Sequence, residues 1–123
     1  MSGNDRQRIV VQQERQAPYE PGRDRMPYRD FGLRPMTEGR MTARAIKAAP
    51  GKQADAPMRA NDGESRFLYV VDGWLEVAYD DLGPVRLEKG SMAYEPPTAR
   101  RAHVAHGDDL LVVEVATAID WTK

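Results

Sequence analysis

From about position 40 onward, apolar and polar residues alternate with a period of two, in short runs separated by turn formers. The runs are RMTARAIKA (40–48), RFLYVV (66–71), WLEVAY (74–79), PVRLE (84–88), SMAYE (91–95), RRAHVA (100–105) and LLVVEVA (110–116). Between them stand APGKQ, ANDGE, DG, DDLG, KG, PPT and HGDD. Glycine permits positive φ, proline presets φ, and aspartate or asparagine closes local hydrogen bonds, so each of these reads as a turn. Strands recurring at about 8–12 residues with no amphipathic helical stretch between them predict an antiparallel sandwich or barrel. The alternation also assigns faces. WLEVAY places Leu75, Val77 and Tyr79 on one side and Glu76 on the other. In LLVVEVA the same rule is expected to turn Leu111, Val113 and Val115 inward and to leave Glu114 outside or paired at the rim.

Ahead of the strands the pattern is different. Residues 1–25 are rich in arginine, glutamine, glycine and proline, with too little apolar surface to offset the entropy of ordering, and predict a flexible N-terminal arm. The alternative is that RIVVQQ adds a strand to a neighbouring sheet edge. Residues 26–123 then form the single β domain.

Composition narrows the chemistry. Eighteen lysines and arginines against 19 aspartates and glutamates give no reason to expect nucleic acid or a membrane surface as partner. With no cysteine, there is no disulfide, thiolate metal site or thiol nucleophile. The opening MSGNDRQRIVVQQERQ lacks a signal-like apolar stretch, and no run approaches the ~20 apolar residues of a membrane span, so a cytoplasmic protein is expected.

Two longer segments carry a family resemblance. MRANDGESRFLYVVDGW, followed by VRLEKGSMAYEPPTARRAH, resembles the two motifs of the cupins, small jelly-roll barrels, and the likeness extends over residues 27–119. It implies an all-β fold, a cupin-type double-stranded β-helix behind the N-terminal arm. Gly73, Gly90 and Pro96 stand at the family's spacings. The positions that in the family supply histidine and carboxylate metal ligands fall here on Arg59, Asn61, Arg66 and Arg101. Arginine is always protonated and has no lone pair to give, so the expectation is that neither a metal nor another cofactor is bound. His103 and His106 would share a metal, with oxygens from Asp108, Asp109 or Glu114, only if the strand between them bends, because alternation sends them to opposite faces.

Three readings of the arginines follow. Cations converging on a pocket suit a small anionic ligand, because a guanidinium matches carboxylate and phosphate oxygens in two-pronged geometry. Arg59, Asn61, Arg66, Arg101, His103 and Tyr94 are then the candidate ligand-binding residues. Alternatively the arginines pair with internal acids such as Glu64 or Glu95, or the barrel is structural or a partner subunit. The resemblance also admits a metal-free isomerase, lyase or cyclase in which His103 is the general base, with Tyr69, Tyr79 and Tyr94 as unranked acid-base partners. Small cupins commonly pair through the outer sheet, which implies a homodimer.

Overall fold

The computed structural model describes residues 9–49, 58–61 and 63–118. Its strands are β1 (Tyr28–Asp30), β2 (Met41–Lys47), β3 (Arg59–Ala60), β4 (Ser65–Asp72), β5 (Trp74–Tyr79), β6 (Gly83–Glu88), β7 (Met92–Glu95), β8 (Arg100–His106) and β9 (Leu111–Thr117). All pairings are antiparallel, in one sheet ordered β1-β2-β9-β4-β7 and a second ordered β3-β8-β5-β6. The two sheets form a jelly roll, as the resemblance implied.

Each of the seven alternating runs became a strand. Two strands had no such signal: β1 and β3 are too short to show a period, and a four-residue helical turn, Leu33–Met36, separates β1 from β2. One turn depends on its glycine. Gly73 joins β4 to β5 at φ +74°, and a Cβ there would stand 2.9 Å from the backbone nitrogen of Leu110, so both the conformation and the space exclude other residues.

The apolar core gathers Met26, Leu68, Val70, Leu75, Val77, Tyr79, Leu87, Leu110 and Val112 between the sheets. Leu75, Val77 and Tyr79 face inward as the pattern of β5 predicts. In β9 the expectation is off by one. Val112, Glu114 and Ala116 are buried, while Leu111, Val113 and Val115 are half-buried on the outer face. Glu114 faces inward because cationic partners wait there, and an acid so paired does not need the solvent side.

Of the N-terminal arm, residues 9–13 form no strand, and Gln12 donates to the Asp30 carbonyl at 3.1 Å and accepts from Arg29 at 2.6 Å. Single 3-10 turns follow at Glu14–Gln16 and Arg23–Arg25, and Glu20 bridges to Tyr28. Residues 1–8 and, beyond Ala49, the expected APGKQ turn lie outside the described residues, as does Asp62 of ANDGE. Among the described residues no helix is long and apolar enough to cross a membrane.

Candidate functional site

The site is built by strands whose inward positions are polar at one end of the barrel. On β8, alternation points Arg101 and His103 inward, opposite Tyr79 and Val77 of β5. Arg59 of β3 stands directly across from Arg101, and Arg66 of β4 across from Glu95 of β7. Arg44 of β2 faces Glu114 of β9. Arg44, Arg59, Arg66, Arg101, His103 and Glu114 border a cavity of about 90 Å³, lined also by Asn61, Leu68, Leu75, Val112, Gly22, Arg23 and Met26.

Two buried carboxylates organise this wall. Glu114, 4% exposed, takes Arg44 Nε at 2.8 Å on one oxygen and Arg66 Nη1 at 3.2 Å on the other. Glu95, 1% exposed, takes Arg101 Nε at 3.2 Å and the Tyr79 hydroxyl at 2.5 Å on one oxygen, while Asn61 Nδ2 donates to the other at 3.4 Å. Burial alone would raise the pKa of Glu114, but the charges of Arg44, Arg66 and Arg101 outweigh it and hold the carboxyl below its usual range. Tyr79 moves the other way: burial first, then the bond and charge of Glu95, push its pKa up, so it stays a neutral donor.

Of the sequence candidates, Arg59, Asn61, Arg66, Arg101 and His103 line the cavity. Tyr94 does not. It opposes Phe67 on the outer face of the sheet and is half exposed, because inward positions of β7 fall on Ala93 and Glu95. The internal pairing weighed for Arg101 is present with Glu95, and Arg66 reaches Glu114 more closely than Glu64, at 3.2 against 3.9 Å. Arg44 and Arg23 escaped the sequence reading, and Glu114, expected outside or paired at the rim, lies on the inner wall. A signal existed for Glu114, the lone charge inside the otherwise apolar strand LLVVEVA.

The two histidines meet. Pairing of β5 with β8 jumps from Val77 opposite His103 to Glu76 opposite Ala105, and this bulge turns His106 to the side of His103. Their rings stack at 4.9 Å with His106 Nδ1 and His103 Nε2 3.0 Å apart, and the Ala49 amide donates to His106 Nε2 at 3.0 Å. Burial lowers the pKa of His106. The required bend is therefore there, but the facing nitrogens bond each other. Among the described residues no group of three or more His, Cys, Asp or Glu could hold a metal ion, and three of the four family ligand positions present guanidiniums. The residues do not fit a divalent metal in the family's manner.

Comparison with known proteins supplies the family. The family described as Cupin domain (Cupin_2) matches residues 46–117, more than half of the chain, and the chain belongs to it. No curated protein matches the sequence. Among solved structures, KdgF from a Halomonas species superposes with a TM-score of 0.71 at 15% identity, covering 94% of this chain and 98% of that one. The polyketide cyclase RemF of Streptomyces resistomycificus gives 0.72 at 14% identity, covering 91% and 81%. A predicted oxalate decarboxylase of Thermotoga maritima gives 0.75 at 11% identity, covering 89% and 100%. At such identities the likeness shows a shared fold.

Proposed function

We propose that this cupin-domain chain is a metal-independent binding module for a small anion held in the arginine-lined cavity. One observation carries the reading: the wall presents Arg23, Arg44, Arg59, Arg66 and Arg101 against Glu114, with Glu95 behind Arg101. Of the described residues that line the cavity, Glu114 is the one acid. Arg59 and Arg101, direct cross-strand neighbours, are like charges whose repulsion an anion between them would relieve. Volume sets the ligand class. At about 10–15 Å³ per water-sized position, a cavity of about 90 Å³ takes a handful of heavy atoms, which suits a short carboxylate or an inorganic oxyanion.

The test is thermal unfolding with malonate, pyruvate, acetate and phosphate, each against chloride at matched ionic strength. A ligand held only by the folded state stabilises it by about 2.7 kcal/mol at one hundred times its Kd. The gain should shrink with added salt and be cut in Arg59→Gln. Equal melting temperatures in all these anions and in chloride would sink the reading.

The outer face of the larger sheet supports a second element of the proposal, a two-fold dimer. Phe67, Tyr69, Met92 and Tyr94 lie side by side on β4 and β7 and are 38–52% exposed, an apolar patch that a second copy of the same patch would cover. Light scattering giving only 13.8 kDa at tens of micromolar would exclude it.

A further inference from the structure

The bonds around His106 have a direction, and it determines what His103 brings to the cavity. A backbone N–H can only donate, so the contact of the Ala49 amide with His106 Nε2 makes that nitrogen the lone-pair atom of a neutral ring. The proton of His106 must then sit on Nδ1, where it points at His103 Nε2, 3.0 Å away. His103 Nε2 accepts this bond and is itself bare, so the proton of neutral His103 is on Nδ1. Nothing in the chain of bonds is reversible while the Ala49 contact stands.

We infer that His106 is a positioning residue that fixes His103 as an Nδ1–H tautomer, so that the second ring nitrogen of His103 is a donor and carries no lone pair. The consequence runs against the general-base role weighed from the sequence: the one lone pair of neutral His103 is already taken by His106. It accords with the arginines, because a wall of donors selects a ligand that arrives as a bare acceptor, a deprotonated oxyanion. His106 does not line the cavity and acts through His103 alone. This selectivity rests on the anion-binding reading; the tautomer does not.

Ring-nitrogen NMR of the 15N-labelled protein, without ligand and at a pH where both rings are neutral, tests it directly. Both His103 and His106 should carry the proton on Nδ1; an Nε2–H signal from either would overturn the inference. Two variants separate positioning from mere support. In His106→Gln the side-chain oxygen can accept from Ala49 and the amide can donate to His103, so the Nδ1–H tautomer of His103 should persist. In His106→Leu the donor is gone, and His103 should shift toward the Nε2–H form that a free histidine side chain prefers. Retention of Nδ1–H on His103 in a folded His106→Leu protein would also overturn it, and if that variant does not fold, the wild-type spectrum still decides. Should an anion bind, its Kd should rise about tenfold in His106→Leu, the worth of one well-placed bond, and little in His106→Gln. A protein that binds no anion yet shows both Nδ1 protons refutes the proposed function and leaves this inference standing.

Discussion

The two faces of the strands β4, β7 and β9 are opposite in chemistry, and the polar one is inside. Toward the barrel axis this sheet presents Arg66, Glu95 and Glu114 beside Leu68, Val70 and Val112; toward the outside it presents Phe67, Tyr69, Met92, Tyr94, Val113 and Val115. Ordinary globular sheets put the apolar set inward. The difference teaches that charged residues are buried here by pairing, beside an apolar core that hydropathy places. A carboxylate with two guanidiniums is a better interior group than its sequence neighbours suggest, and an outer apolar face is tolerable where another surface covers it.

The sharpest way to break this comparison is to remove an anion from the inner face. Glu114→Ala leaves Arg44 and Arg66 without their common carboxylate and should cost about 3–5 kcal/mol in urea unfolding, the usual penalty for stranding buried charge. Val113→Ala, one residue away on the outer face, should cost only about 1 kcal/mol. Equal costs would mean that the inner pairs contribute nothing special.

Next in size is Arg101→Ala, which withdraws the cation from Glu95 but leaves the neutral donors Tyr79 and Asn61 in place. A loss of about 3 kcal/mol is expected at neutral pH. A variant as stable as the wild type would show that Arg101 is held for a ligand and not for Glu95.

Acid addresses the same face without mutation. The folded-state pKa of Glu114 lies below its ordinary value of 4.5, so the unfolded chain binds this proton more readily. The contribution is present above about pH 4.5 and is lost as pH drops through the lower folded value, with a slope of up to ~1.4 kcal/mol per pH unit for one proton. Glu114→Gln should flatten that limb of the stability curve, and an unchanged slope would point to other carboxyls.

The smallest effect on folding belongs to the outer face. Tyr94→Glu should change the stability of the single chain by less than about 1 kcal/mol yet halve the mass seen by light scattering, and it should leave any anion-induced rise in melting temperature intact. Loss of the anion effect in this variant would join the two faces functionally and end the contrast.

Much of this was legible in the sequence, and the failures have definite causes. The strands and the inward set Leu75, Val77 and Tyr79 follow from a period that local residues carry in full. The gathering of Arg59, Asn61, Arg66 and Arg101 around one cavity is what the family resemblance implied. β9 was misread because the inward place of Glu114 depends on Arg44, 70 residues away in the chain, and no local window contains both. Tyr94 was misplaced because its face depends on the register of β7 against β4, which puts Ala93 and Glu95 inward. The histidine pair was missed for a third reason. A bulge shifts alternation by one residue, and RRAHVAH carries no glycine or proline to announce it.

The shared acceptor Glu95 also bears on how this protein can change over generations. Asn61, Tyr79 and Arg101 all address its carboxylate, so a substitution at any one alters what the others can accept. Neighbours in one such network are strongly non-additive, with couplings of about 0.5–3 kcal/mol. Replacing Arg101 by a neutral residue would leave an uncompensated acid in the interior unless position 95 changed first. The open route is therefore an ordered one, acid before base, and the arrangement acts as a ratchet on substitution at position 101.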